Sequence, residues 1–224
     1  MKAMVLAAGR GERMGSLTNR TPKPLTRIKN STLIEHNILR IKESGINEIV
    51  INISWLGSQI KDHLGDGEKL GIKITYLDEG NEMLGTGGGI YNALEFLGED
   101  PFWLVNSDIY TDYSIDTHKE LNNDNLAHLI LVPNPSYHRS GDFHLVNDKV
   151  TTSSGVKPMT YSGMSIISPQ LFADSNSGVF PLEPLLESAA SSGLISGECF
   201  NGFWTDVGTQ ERLKILESLL NSNE

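Results

Sequence analysis

A chain of 224 residues with 18 Lys and Arg against 28 Asp and Glu carries a formal net charge of −10, which excludes a general nucleic-acid reader, because such a protein needs a basic face. Its length suits one large α/β domain or two small ones, and an apolar content of 38% supplies a proper core. The single cysteine, Cys199, excludes an internal disulfide framework and a cysteine-based zinc site and fits a reducing cytoplasm.

Ala3 to Ala8 is a short apolar run that reads as a buried strand. Gly9 and Arg10 interrupt it at once, so no signal sequence is expected from it, and no later stretch approaches the ~20 apolar residues of a membrane span. The run empties into a loop carrying Gly9 and Gly11, with basic residues at Arg10, Arg13 and Lys23. Glycines remove the Cβ that would block a ligand, and backbone N–H groups in such a loop cradle phosphate oxygens. This is the pattern of a nucleotide-phosphate site. It is not the dinucleotide fingerprint, whose third glycine is replaced by Met14, and nothing in the chain fits a P-loop. Pro22 and Pro24 flank Lys23, limit its backbone and aim its ammonium as a point charge.

Thr32-Leu-Ile-Glu35 has capping-box spacing, and Leu33, Ile34, Ile38 and Ile41 recur near the helical period, predicting a helix up to Gly45. Residues 48–53 read as a strand, 56–64 as a helix, 72–77 as a strand and 87–97 as a helix opened by glycines. Residues 102–106 form a buried strand that stops at Ser107-Asp108. Strands alternating with helices imply parallel pairing through crossovers, hence a Rossmann-like sheet. The second half predicts strands at 126–132, 143–146 and 159–167 and helices at 182–190 and 211–220. Without an internal repeat or a long linker, one domain is expected, with halves at about 1–110 and 111–224. Ligands of open parallel sheets lie beyond the carboxyl ends of the strands, which predicts that residues 7–13, 79–89 and 106–108 converge.

Asp108 follows an apolar strand, where a carboxylate suits a metal bridging triphosphate oxygens; Mg²⁺ takes one or two carboxylates and leaves the rest of its shell to phosphates and water. The plain alternative is an aspartate capping a turn. Asp206, in Phe203-Trp-Thr-Asp206-Val-Gly208, repeats the arrangement, its alternative being a residue ahead of a helix capped by Thr209. The six histidines show no metal-binding spacing.

The string Leu6-Ala-Ala-Gly-x-Gly-x-Arg13 with Pro22-Lys-Pro-Leu25 resembles the signature of the sugar-1-phosphate nucleotidylyltransferases. The likeness continues through Asn52-Ile-Ser-Trp-Leu-Gly57, Asp62-His-Leu-Gly-Asp-Gly67, Thr86-Gly-Gly-Gly89, Ser140-Gly-Asp-Phe143, Tyr161-Ser-Gly163 and Trp204-Thr-Asp-Val-Gly208, nearly the whole chain. Within the family it is greatest to the uridylyltransferase branch that acts on N-acetylmuramate 1-phosphate in bacterial cell-wall recycling. The resemblance implies a single-domain, three-layer α/β/α nucleotide-diphospho-sugar transferase fold with a mostly parallel sheet. It implies transfer from a nucleoside triphosphate, expected to be UTP, to a sugar 1-phosphate with release of pyrophosphate, and Mg²⁺ shared by Asp108 and Asp206.

The same resemblance places Leu6, Ala7, Ala8, Gly9, Gly11, Glu12, Arg13, Lys23, Glu79, Gly85 and Thr86 at the nucleotide, with Arg13, Lys23 and Asp108 catalytic. It places Asn106, Asp142, Lys157 and Gly163 at the sugar phosphate, in the second half of the chain apart from Asn106. Other readings are mannose, heptose or glucose phosphate as acceptor, or a non-catalytic nucleotide-binding relative; the latter usually loses metal ligands or the Arg/Lys set, and all four residues are present. The chain departs from the family at Gly15-Ser16, where an arginine–proline pair often stands. A cytoplasmic monomer or homodimer without nucleic-acid or membrane partners is expected.

Overall fold

The computed structural model describes residues 1–222 except Glu120 and Asn123. Strands β1 (Ala3–Leu6), β2 (Arg27–Ile28) and β3 (Ser31–Thr32) precede helix α1 (Leu33–Glu43). Then come β4 (Glu48–Ile53), α2 (Gly57–Leu64), β5 (Lys73–Asp78), α3 (Gly85–Leu97) and β6 (Phe102–Asn106). The second half holds β7 (Ile109–Thr111), β8 (Ala127–Val132), β9 (His144–Val146), β10 (Lys149–Thr151) and β11 (Thr160–Ile167). It closes with α4 (Glu183–Ser191), β12 (Ile195–Cys199), β13 (Trp204–Asp206) and α5 (Gln210–Asn221). The capping box forms as predicted: Thr32 Oγ1 accepts from the Glu35 N–H at 3.3 Å, and Glu35 Oε2 accepts from the Thr32 N–H at 2.7 Å.

Nine strands make one sheet in the order β5-β4-β1-β6-β11-β8-β12-β10-β9. Only β11 and β10 run against the other seven, so the sheet is mostly parallel in direction. Its central strands β4, β1 and β6 are apolar on both faces because both faces are covered. Ala3, Val5, Ile49, Ile51, Trp103 and Val105 pack with Ile34, Ile38 and Ile41 of α1 and Ile60 and Leu64 of α2. Met4, Val50, Phe102 and Leu104 point the other way, toward Ile90, Ala93 and Leu97 of α3 and Leu186 and Ala189 of α4. Each large apolar side chain buried this way contributes roughly 1.5–3 kcal/mol. The result is the three-layer α/β/α arrangement.

A third, smaller core of Met14, Ile28, Leu33, Val207 and Leu216 ties the glycine-loop segment to α5. Met14 is fully buried, so a large side chain fills the place where a dinucleotide fingerprint requires none.

The sequence reading misses β12, whose Ile195-Ser-Gly-Glu-Cys199 lacks an apolar pattern; β8 on one side and β10 on the other impose the strand. Within it, Glu198 accepts hydrogen bonds from the Lys119 ammonium and the Tyr113 hydroxyl, with His128 Nε2 at 3.9 Å. His128, then Lys119 and Tyr113, hold its carboxyl down to about 2, against burial that pushes it up. A folded-state pKa below the ordinary 4.5 means that this contribution to stability is complete above about 4.5 and is lost as pH falls toward about 2. Glu198→Gln is therefore expected to lower stability at pH 7 and to flatten the acid limb. Urea midpoints between pH 7 and 3 check this; parallel curves for the two proteins would refute it.

Candidate active site

Leu6 stands in register with Asn52 on one side and Asn106 on the other, and Asn52 with Leu77. The four parallel strands β5, β4, β1 and β6 therefore open their carboxyl ends along one edge. A cavity of about 490 Å³ lies there, within the range of small-molecule sites. Its wall includes Leu6, Ala8, Gly9, Gly11, Glu12, Arg13, Lys23, Glu79, Gly85, Thr86, Asn106 and Asp108. A second cavity, of about 330 Å³, shares Arg13, Asn106 and Asp108 with the first and extends to Tyr161, Gly163, Asp206 and Arg212. The predicted convergence of three loops is thus present.

Three predicted residues stand elsewhere. Ala7 is buried behind the wall and donates its N–H to Asn52 Oδ1 at 2.9 Å. Asp142 lines neither cavity: its Oδ1 meets His138 Nε2 at 2.8 Å, and its Oδ2 accepts the Tyr161 N–H at 2.7 Å. It braces residues that do line the second cavity. Lys157 is exposed and also lines neither.

Glu79 is held from two sides. Oε1 accepts from Asn52 Nδ2 at 2.7 Å and Oε2 from the Leu84 N–H at 2.9 Å. Since Asn52 also accepts from Ala7, one chain of hydrogen bonds ties the ends of β1, β4 and β5 together. Asn52 is buried, and a buried amide must find such partners. From sequence it stood out as a polar residue near the end of an apolar strand and as the first residue of the family-like segment Asn52-Ile-Ser-Trp-Leu-Gly57, with no role assigned.

The glycine run that opens α3 serves chain packing. A Cβ on Gly88 would fall 2.2 Å from the Gly178 carbonyl oxygen, and one on Gly89 would fall 2.6 Å from Glu79 Oε1. The N–H groups of Gly87 and Gly88 donate to the Phe180 carbonyl at 3.0 and 3.1 Å. Only Gly85 and Thr86 of this run face the first cavity. Gly88→Ala is expected to cost about 1–3 kcal/mol, the usual cost of overpacking, because backbone blocks the new methyl. An unchanged thermal midpoint would show that segment 178–180 yields freely.

The two aspartates meet through a strand pair. Strands β7 and β13 are antiparallel with Asp206 opposite Ile109, and the Val207 N–H donates to the Asp108 carbonyl at 2.8 Å. Each carboxylate carries a cation: Lys23 pairs with Asp108, and Arg212 binds both oxygens of Asp206. Tyr137 Oη donates to Asp206 Oδ1 at 2.6 Å. Burial and the Asp206 carboxylate push that hydroxyl above its usual range, keeping it a proton donor. Arg212 sits in the first turn of α5, its N–H bound to the capping Thr209 Oγ1 at 3.3 Å. Neither Arg212 nor Tyr137 was singled out from sequence.

Arg10 lies over the Trp55 ring, 5.3 Å from its centroid, and Trp55 Nε1 donates to the Thr18 carbonyl at 3.0 Å. The loop after β4 therefore braces the glycine-loop segment from outside. No helix among the described residues is long and apolar enough to cross a membrane.

Residues 2–141 match the family described as Nucleotidyl transferase. The chain is 43% identical to the N-acetylmuramate alpha-1-phosphate uridylyltransferase of Neisseria meningitidis serogroup B, over 98% of each chain. It is 31% identical to the protein of the same name from Caulobacter vibrioides, over 97% of this chain and 96% of that one. A solved structure of a putative glucose-1-phosphate thymidylyltransferase from Bacillus anthracis superposes with a TM-score of 0.86, covering 98% of this chain and 94% of that one at 21% identity. That likeness speaks to fold. With more than half its length matched by the family and an end-to-end relative at 43% identity, the chain belongs to the Nucleotidyl transferase family.

Proposed function

We propose that the protein joins UTP to N-acetylmuramate 1-phosphate in the cytoplasm, giving the UDP-sugar and pyrophosphate. The observation that carries this reading is the pair of cavities divided by a common wall of Arg13, Asn106 and Asp108. The first takes the triphosphate and the second the sugar phosphate, so their anionic ends meet at that wall. An oxygen of the acceptor phosphate attacks the α-phosphorus. The new P–O bond forms as the bond from the α-phosphorus to the bridging oxygen breaks, and pyrophosphate carries the electron pair away. The attacking oxygen is already anionic, so no general base is required.

The protein's task is placement and charge stabilisation. Gly9 and Gly11 let backbone N–H groups approach the phosphates, while Arg13 and Lys23 stabilise the departing pyrophosphate. The Asn52–Glu79 pair keeps the base-side wall in place. Asn106 and Gly163 meet the sugar, and Asp142 supports that wall through His138 and Tyr161.

Asp108 and Asp206 offer hard oxygen donors from neighbouring strand ends on one cavity wall, which fits the one or two carboxylates that Mg²⁺ takes. These two residues would hold it, and it would supply neutralisation of phosphate charge.

The choice of UTP and N-acetylmuramate 1-phosphate is supported by the two relatives at 43% and 31% identity, both N-acetylmuramate alpha-1-phosphate uridylyltransferases. The test is kcat/KM for N-acetylmuramate 1-phosphate against the 1-phosphates of glucose, mannose and N-acetylglucosamine, each with UTP and GTP. The first pair should dominate. A preference for another acceptor, or for GTP, would overturn the substrate assignment and leave nucleotidyl transfer standing.

A further inference from the structure

Arg212 is a cation in the second cavity to which the proposed reaction gives no task. It binds both carboxylate oxygens of Asp206, and its guanidinium carbon lies 4.2 Å from the centroid of the Tyr137 ring. A Cβ on Gly208 would fall 2.7 Å from Arg212 Nη2 and 2.9 Å from Asp206 Oδ2, so the glycine admits the pair. Gly208 itself lines the first cavity, which puts Arg212 at the junction of the two.

A carboxylate offers about four lone-pair sites. On Asp206, Arg212 uses one on each oxygen and Tyr137 another on Oδ1. A divalent cation approaching Asp206 therefore meets a nearly filled ligand with a positive charge fixed beside it. Once released from Asp206, the guanidinium faces the cavity assigned to the acceptor, and its fork of donors matches phosphate.

We infer that Arg212 is an exchangeable counter-ion: it holds Asp206 until a divalent cation takes that carboxylate, and then binds the phosphate of the acceptor. Lys23 and Asp108 form the corresponding pair at the first cavity, so each carboxylate keeps a cation until polyanions arrive. The inference rests on the proposed metal role of Asp206 and adds a second state for its partner.

The sign of an effect on metal binding tests it. Arg212→Met keeps much of the aliphatic stem and removes the charge. Titration of the protein without substrates, with free Mn²⁺ followed by electron paramagnetic resonance, should show roughly tenfold tighter binding in Arg212→Met, since a nearby unit charge no longer opposes the ion. Tyr137→Phe, which removes only the hydroxyl, should shift binding the same way by less. In turnover, KM for the sugar phosphate should rise roughly tenfold in Arg212→Met with KM for UTP changed less than about twofold, and Arg212→Lys should recover part of it. Unchanged or weaker Mn²⁺ binding in both Arg212→Met and Tyr137→Phe would overturn the exchange, and an equal rise in both KM values would overturn the acceptor assignment. Asp206→Asn separates the underlying reading: if it binds Mn²⁺ as the unsubstituted protein does, the metal role of Asp206 fails.

Discussion

Asp108→Asn and Asp206→Asn are each expected to lower turnover by roughly two orders of magnitude or more while leaving the fold intact. Both side chains are partly exposed, at 25% and 20%, on the wall of a cavity, so a near-isosteric amide leaves packing undisturbed. What changes is charge. Asp108→Asn leaves Lys23, whose side chain is 10% exposed, without its carboxylate. Asp206→Asn removes the anchor of Arg212 and Tyr137. Both substitutions also remove anionic oxygens that would hold Mg²⁺. The measurement is kcat as a function of Mg²⁺ concentration, with circular dichroism melts to establish folding. Near-normal turnover in both variants at limiting Mg²⁺ would refute a shared site.

The first half of the chain was legible because its signals are local. Ala3 to Leu6, Glu48 to Ile53 and Phe102 to Asn106 are apolar nearly throughout, as strands covered on both faces must be, and Thr32 and Glu35 announce a helix start by spacing alone. Parallel topology then determines where their carboxyl ends lie, so the meeting of Gly9, Glu79 and Asp108 could be deduced before any contact was known. The second half carries more of its information in contacts between side chains and strands than in local patterns. Tyr137 reaches Asp206 from a loop 69 positions away, and Arg212, six residues beyond Asp206, turns back onto it from the first turn of α5; no hydrophobic period reports either contact. Strand β12 exists because β8 and β10 flank it. Most of the space beside the glycines of α3 is taken by residues 178–181 and Glu79, which only the folded chain brings near. Asp142 and Lys157, carried over by likeness alone, lie outside both cavities.

Lys23→Ala is expected to reduce kcat/KM for every sugar phosphate alike, by roughly 100-fold, the scale of losing one fixed electrostatic stabiliser. Pro22 leads into a short 3₁₀ turn of Lys23–Leu25, closed by the Leu25 N–H on the Pro22 carbonyl at 2.9 Å. Gly11 holds φ at +66°, and a Cβ there would fall 2.9 Å from Lys23 Cβ. The glycine loop and the lysine are therefore fitted to each other, and the ammonium has little freedom beyond Asp108 and the first cavity. Lys23 lines that cavity and not the second. In the proposed reaction its charge would therefore act on the triphosphate, which every reaction shares, and not on the acceptor, which varies. The check is kcat/KM for Lys23→Ala with several sugar 1-phosphates at saturating UTP, alongside KM for UTP. Uniform loss with a raised UTP KM is the expected result. Damage confined to one acceptor would move Lys23 to the sugar side of the common wall and would require Arg13 alone to stabilise the departing pyrophosphate.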